Sequence, residues 1–300
     1  MADEPFRCGY VAVVGRPNVG KSTLVNMLVG HKVSIVTSRP QTTRQRVIGV
    51  ATGPSVQLLF MDTPGMHRRE RRALNRLMNR TASGSLADAD VVLLVADASR
   101  WTEEDDDALA QASSSGRPVI LAINKIDRIR PRERLLPLLA AAADKGEFAE
   151  VVPISAERGD NLEQLRRLLE ARVPEGPALF PESQWSDRDE RFHIGEIIRE
   201  KLMRRLREEL PYGLAIEVER LADSAHGRLE VSAVVWVERE AHKAIVIGQG
   251  GEMLKAAGRA ARLELKERYR RPVHLELWVK VHENWTDRDA DLRQLGYGGD

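Results

Sequence analysis

Residues 15–22 read Gly15-Arg16-Pro17-Asn18-Val19-Gly20-Lys21-Ser22, the spacing G-x-x-x-x-G-K-[ST]. A short, fully apolar run, Tyr10–Val14, precedes them, and Ser22–Leu28 reads as a helix. Such a turn between a strand and a helix lets backbone N–H groups curl around phosphate oxygens, and the helix dipole adds a favourable field. Lys21 is placed to reach the β and γ phosphates, and the Ser22 hydroxyl to ligate magnesium. Residues 15–22 as a whole are therefore the expected phosphate cradle.

Outward from this turn, Val56–Met61, Val91–Ala96, Val119–Ile123 and Val151–Ile154 are further short runs rich in Val, Ile and Leu, each closed by a polar turn. Strands with apolar residues on both faces, alternating with helical stretches, predict an α/β domain whose mostly parallel sheet is covered by helices on both sides. Ligands of such sheets lie at the carboxyl ends of the strands. The turns after each run are the places to look.

Three more motifs stand there. Asp62-Thr63-Pro64-Gly65 closes the second run; Asp62 suits a magnesium role, and the Gly65 N–H can meet a γ phosphate. Thr42 and Thr43 lie in the preceding loop, and one of their hydroxyls is expected on magnesium when a γ phosphate is present. Asn124-Lys125-Ile126-Asp127 follows Val119–Ile123. The Asp127 carboxylate can accept from N1–H and the 2-amino group of guanine. Against adenine a buried carboxylate would go unpaired, at a cost of about 2–5 kcal/mol. Asn124 is expected to support neighbouring loops, and the Lys125 stem to lie along the base. Ser155-Ala156, after the next strand, can offer a backbone N–H to guanine O6. The cofactors implied are GTP or GDP with Mg2+, and the reaction is hydrolysis of GTP to GDP and phosphate. Lys21, Thr42, Thr43 and Gly65 are its candidate catalytic residues. Where many Ras-like GTPases carry a water-orienting glutamine, this chain has Met66. A thioether cannot orient water, so slow intrinsic turnover is expected. His67 and the run Arg68, Arg69, Arg71, Arg72 are read as an exposed loop and helix.

The pattern changes after Val173. Pro174–Ser186, with Pro174, Gly176, Pro177 and Pro181, reads as a linker. Beyond it come a helical stretch, Phe192–Glu209, and two alternating strands, Leu214–Glu219 and Leu229–Val237. Then follow helices at Ala241–Ile247 and Glu252–Tyr269 and a strictly alternating strand, Val273–Val281. Between the last two helices lies Gly248-Gln249-Gly250-Gly251. Helix, strand, strand, helix, G-x-x-G, helix, strand is the order of a smaller α+β type II KH domain, whose glycine loop clamps a nucleic-acid backbone. Lys255, Arg259, Arg262 and Lys266 follow at helical spacing and form one basic stripe. From Arg239 to Pro272 there are nine Lys or Arg against four Asp or Glu, so this region is basic although the chain of 300 residues has net charge +1. Trp236 and Trp278 are read as core residues of the strands, and the acidic run Glu103–Asp107 as a solvated helix start. The organisation expected is 1–173 nucleotide-binding domain, 174–186 linker, 187–282 KH domain and 283–300 C-terminal tail. The single cysteine, Cys8, excludes an internal disulfide and fits a reducing cytosol. No apolar run is long enough to span a bilayer.

With these residues in place, the whole chain resembles the Era family of bacterial GTPases. The resemblance rests on the segments GRPNVGKS, PQTTR (Pro40–Arg44), DTPG, NKID and SA, then on DRDERFHIGEIIREKL (Asp187–Leu202), VIGQGGEMLK (Val246–Lys255) and LWVKVHENW (Leu277–Trp285). It implies small ribosomal subunit assembly, with a KH domain that binds the 3′ end of small-subunit ribosomal RNA under nucleotide control. It also implies a cytoplasmic monomer, with peripheral association at the inner membrane face. The competing reading is a P-loop nucleotide-binding module whose C-terminal domain contacts protein rather than RNA.

Overall fold

The computed structural model describes residues 5–37, 39, 42–64, 73–206 and 213–297. Gly65, Met66, His67 and the arginines at 68, 69, 71 and 72 lie outside these. The chain packs as two units, the first built mainly from residues up to Asp187 and the second from Arg188 onward together with Thr37, Arg39, Thr42 and the start of α2 up to Leu77.

In the first unit the elements run β1 (Arg7–Val14), α1 (Lys21–Val29), β2 (Val47–Thr52), β3 (Val56–Asp62), α2 (Ala73–Ala87), β4 (Val91–Asp97) and α3 (Glu103–Ser114). They continue with β5 (Val119–Asn124), α4 (Leu135–Ala143), β6 (Glu150–Pro153) and α5 (Leu162–Glu170). The sheet order is β2-β3-β1-β4-β5-β6. All neighbours are parallel except β2 with β3. β3 and β5 are buried along their whole length, and Leu58, Leu59, Phe60 and Met61 have no exposed surface. Burial of each such side chain stabilises the fold by about 1.5–3 kcal/mol. The chain leaves β1 toward β3 on one side and toward β4 on the other, so the strand order reverses beside β1. A crevice at the carboxyl edge follows from that reversal. The turn after β1 carries residues 15–20.

Two expectations need correction here. The acidic run Glu103–Asp107 is not a uniformly solvated helix start, because Asp105 is 1% exposed. Its Oδ2 accepts from the Thr102 N–H and hydroxyl, each at 2.9 Å, closing a capping box on α3. The segment read as a linker packs instead on the first unit. Gly176 N–H donates to Phe6 O at 3.0 Å, and Trp185 O accepts from Val50 N–H at 3.0 Å. The fully buried Gln57 holds the middle: its Oε1 accepts from Leu179 N–H at 2.8 Å and Phe180 N–H at 3.0 Å, and its Nε2 donates to Phe180 O at 2.8 Å. Proline and glycine report the absence of helix and ladder; they do not report the absence of packing.

The second unit contains α6 (Glu190–Arg205), β7 (Ala215–Asp223), β8 (Leu229–Val237), α7 (Glu240–Ile247), α8 (Glu252–Tyr269), β9 (Val273–Val281) and a short α9 (Asp289–Gln294). β7 pairs antiparallel and β9 parallel with β8. Odd-numbered residues of β8, among them Val231, Ala233 and Val235, share a core with Ile194, Ile198 and Leu202 of α6 and with Ala257, Ala261 and Leu265 of α8. Even-numbered residues of β8 and β9 therefore face away from the helices. Trp278 is one of them and is 61% exposed, which corrects its reading as core; Trp236 is half-buried. The tail folds onto this unit: Trp285 is fully buried, stacks on Tyr297 with centroids 5.7 Å apart, and is followed by Thr286, whose hydroxyl donates to Glu238.

Candidate nucleotide site and candidate nucleic-acid interface

The turn after β1 needs its glycines. Gly15 has φ +145°, and a Cβ there would lie 2.3 Å from Val95 O. Gly20 has φ +106°, and its Cβ would lie 2.4 Å from Asn124 Nδ2. Asn18 also takes a positive φ, 64°. Inside the turn the Lys21 ammonium donates to Gly15 O at 2.8 Å and Arg16 O at 2.9 Å. Burial pulls its pKa down to about 8, with the Asp62 carboxylate opposing. An incoming phosphate would bring further negative charge to this buried ammonium. Arg16 is fixed by a 2.9 Å ion pair with the buried Asp105.

At the end of β3, Asp62 is fully buried, and burial raises its pKa against the pull of the Ser34 hydroxyl, of Lys21 and of the Ser22 and Thr43 hydroxyls. Thr43 Oγ1 lies 3.0 Å from Ser22 Oγ and donates to Asp62 Oδ2 at 3.3 Å. Asp62 Oδ1 is buried and, among the described residues, has no hydrogen-bond partner. One carboxylate with an orphaned oxygen and two hydroxyls form a hard-oxygen corner whose chemistry fits Mg2+, which would take its remaining ligands from phosphate and water. Thr42 does not join this corner. Its hydroxyl donates to Arg39 O at 2.7 Å and lies 2.7 Å from Thr37 Oγ1, so of the two threonines Thr43 is the one beside Ser22 and Asp62. Thr63, buried, donates to Val13 O at 3.0 Å and ties the ends of β1 and β3 together. Pro64 continues the turn, and Gly65 is outside the described residues.

The loops after β5 and β6, where the base is expected, are organised by Asn124, the last residue of β5. Its Nδ2 donates to Val19 O at 2.8 Å, and its Oδ1 accepts from Ala156 N–H at 2.9 Å and Lys125 N–H at 2.8 Å. One buried amide thus joins the loops after β1, β5 and β6. Ser155 Oγ donates to Asp127 Oδ1 at 2.7 Å, orienting the carboxylate. The Lys125 ammonium is shared by Asn18 O and Asp97 Oδ2, each at 2.7 Å, which fixes its stem. Burial pushes the Asp97 carboxyl up, but bonds from Lys125 and Ser99 outweigh it and hold it below the usual carboxylate range. Asp97 and Asp105 are positioning residues that the motifs do not reveal. Their only signal is their place, at the end of a strand and at the third position of a helix.

In the second unit the Gly248–Gly251 turn joins α7 to α8. Gly248, Gly250 and Gly251 all have positive φ, +73°, +58° and +80°. A Cβ on Gly248 would lie 2.7 Å from Met253 Cβ. Lys255, Arg259, Arg262 and Lys266 lie on α8, which buries Ala257, Ala261 and Leu265 on its other side. Among the described residues none of the four forms an ion pair; Glu264, two residues from Arg262, bonds Lys201 instead. Lys255 reaches back to Gly250 O at 3.3 Å. Together these place an open backbone turn beside unpaired positive charge.

Residues 10–125 match a family model described as a 50S ribosome-binding GTPase, and residues 209–286 match a KH domain. GTPase Era of Stenotrophomonas maltophilia K279a is 50% identical over 293 residues, 98% of each chain. GTPase Era of Xanthomonas axonopodis pv. citri is 51% identical over the same length and coverage. The chain belongs to the Era family of GTPases. A family member solved with MgGDPNP and nucleotides 1506–1542 of 16S ribosomal RNA superposes with a TM-score of 0.93 at 41% identity, covering 97% of this chain and 99% of that one. A variant of Aquifex aeolicus Era bound to GDP and aluminium fluoride matches equally well. The chain is therefore a GTPase that uses GTP, GDP and Mg2+, with a P-loop domain of mostly parallel sheet and a KH domain after it.

Proposed function

We propose that the chain is a GTP-driven switch that binds the 3′ end of small-subunit ribosomal RNA and the small ribosomal subunit during assembly. The observation that carries this is the pairing, in one chain, of a candidate guanine-nucleotide site with an open G-x-x-G turn beside four basic side chains that form no ion pair among the described residues. The resemblance to a family member solved with 16S ribosomal RNA supports the choice of RNA.

In this reading Lys21 holds the β and γ phosphates, and the N–H groups of the 15–20 turn hold their oxygens. Mg2+, held by Ser22, Thr43 and Asp62, would neutralise phosphate charge. Asp127 accepts from guanine N1–H and the 2-amino group; the Ala156 N–H expected on O6 is instead donated to Asn124 Oδ1 at 2.9 Å and fixes the loop beside Asp127. Thr43 is the residue that reports the γ phosphate. The backbone at Gly248–Gly251 admits an RNA phosphate, and the stripe on α8 follows the strand.

The test is a titration of a small-subunit ribosomal RNA 3′ fragment against the full chain with a non-hydrolysable GTP analogue and with GDP. The expected result is different affinities, by about 5- to 150-fold. Equal affinities would remove the switch.

A cytoplasmic monomer with a peripheral membrane contact completes the proposal. No described helix is long and apolar enough to cross a bilayer. α4, however, presents Leu136 at 75% exposure just after Arg128, Arg130, Arg132 and Arg134, the chemistry of an interfacial contact with anionic lipid. Co-sedimentation with phosphatidylglycerol vesicles, lost in Leu136→Glu, tests it. Sedimentation velocity tests the monomer.

A further inference from the structure

The KH-domain sheet has a face that neither the nucleotide nor the RNA reading uses. Helices α6 and α8 cover its odd-numbered side, and no described helix of this unit covers the other. On that open side Val234 is nevertheless fully buried. It is register-paired with Trp278 on β9 and Glu217 on β7, and Trp236 stands two residues along β8. Large neighbours close over it.

The two tryptophans are held in different ways. Trp236 Nε1 donates to Glu217 Oε2 at 2.8 Å, and the Lys280 ammonium lies 5.6 Å from its ring centroid. Lys280 also pairs with Glu219 at 3.2 Å. Trp278, by contrast, has no ring or polar contact among the described residues and is 61% exposed. A bare indole of that size on a sheet face is costly to leave in water and is a common anchor of binding surfaces. On this face stand the carboxylates of Glu217, Glu219, Glu230 and Glu276 against two cations, Lys280 and Arg220, the latter paired with Glu230 at 3.1 Å, a formal charge of −2. This is opposite in sign to the α8 stripe of the same domain.

We propose that this face docks an extended basic segment of a partner protein, rich in arginine or lysine. The arrangement already shows how a cation is taken: an ammonium over an indole, tied to a neighbouring carboxylate, as Lys280 is over Trp236 beside Glu219. Trp278 offers the same pair of groups, ring face and nearby carboxylates, to a cation from outside the chain. A three-stranded face suits an extended segment whose alternate side chains point down to it. Nucleic acid is disfavoured here because its phosphates would meet these carboxylates. The proposal is independent of the RNA site on α7 and α8.

The test uses the full chain with GDP and Mg2+ and a synthetic peptide of eight Arg-Ala repeats, followed by calorimetry at moderate salt. Trp278→Ala, and separately the pair Glu217→Gln with Glu276→Gln, should each weaken binding by about tenfold. Glu103→Gln with Glu104→Gln, at the acidic start of α3, should leave it unchanged, which separates this face from any acidic patch. Trp278 is exposed, so its truncation should leave the circular dichroism spectrum and GDP affinity intact. A second arm places a photoreactive benzoylphenylalanine at position 278 and adds purified, RNA-free small-subunit ribosomal proteins. Crosslinks to their basic extensions are expected. Peptide binding that ignores both sheet variants would overturn the proposal. So would loss of ribosomal RNA 3′-fragment affinity in Trp278→Ala, which would make the face an RNA site. Crosslinks between copies of the chain would overturn it as well.

Discussion

Ser155 Oγ donates to Asp127 Oδ1 at 2.7 Å, so the carboxylate proposed to select the base is aimed by a residue one strand further along the sheet. In the proposed reading, selectivity for guanine is a property of two loops together. Asp127→Asn should lower GTP affinity by about 2–5 kcal/mol and move preference to xanthosine triphosphate, whose 2-oxo group accepts from the new amide. Ser155→Ala should cost less, about 1 kcal/mol, because the carboxylate remains but is no longer held. Competition binding with the two nucleotides measures both. Retained preference for GTP in Asp127→Asn would show that the base is read elsewhere.

Thr42 and Thr43 are adjacent in sequence and different in place. Thr43 shares the Ser22–Asp62 corner, while Thr42 is held by Thr37 and Arg39. Thr43→Ala should lower the affinity of a GTP analogue in the presence of Mg2+ by roughly tenfold, about 1.4 kcal/mol, and should change GDP affinity little. Thr42→Ala should not reproduce that selective loss. Calorimetry with each nucleotide at fixed Mg2+ distinguishes them, and the opposite ranking would exchange their roles.

Lys21 gives nucleotide binding a pH dependence with a defined sign. In the free protein burial brings its pKa to about 8, and bound phosphate must raise it. A group whose pKa rises on binding contributes fully below the free-state value and loses its contribution as pH climbs through it. Affinity for GDP should be flat from pH 6.5 to about 7.5 and fall roughly tenfold by pH 9. Lys21→Arg, which stays charged, should bind with a flat profile over the same range. Matching slopes in the two proteins would remove Lys21 as the source.

The nucleotide site is legible in the sequence because its chemistry is local. Residues 15–22 and 124–127 each carry their geometry in consecutive residues, and strand ends bring them together. What the sequence hides is made by residues distant along the chain. Asp105 holds Arg16 across 89 positions, and Asp97 holds Lys125 across 28. Nothing in the string EEDDD distinguishes the acid that is buried. The strand β2 is hidden for a related reason: Val47–Thr52 contains Gly49, and only its antiparallel pairing with β3 makes it a strand. Residue type alone puts Trp278 in the core, but the parity of its register decides its side of the sheet.

Gln57 tests the corrected reading of 174–186. Its fully buried amide serves the Leu179 and Phe180 N–H groups and Phe180 O. Gln57→Leu keeps the volume near but leaves those backbone groups without partners. The expected loss of stability is about 2–4 kcal/mol, read as a lower urea midpoint with the slope unchanged. Proteolysis should cut within 177–184 earlier than in the parent. Unchanged stability would return the segment to the status of a free spacer.

The glycine turn makes the strongest demand on the RNA reading. Gly248 and Gly251 have φ of +73° and +80°, and a side chain at 248 would meet Met253. Replacing both with Asp adds strain, bulk and two negative charges where an RNA phosphate is expected, so affinity for a small-subunit ribosomal RNA 3′ fragment should fall below detection. GTP affinity without RNA should be unchanged. Because strain alone could disturb the turn, a second variant separates charge from fold. Lys255→Gln with Arg259→Gln removes two positive charges from α8 and leaves the glycines in place. It should weaken RNA binding and make log affinity less steep against log salt, by close to one slope unit for each phosphate the variant no longer neutralises. A salt slope equal to that of the parent would mean that the stripe touches no phosphate, and the KH surface would then have to be sought on another face.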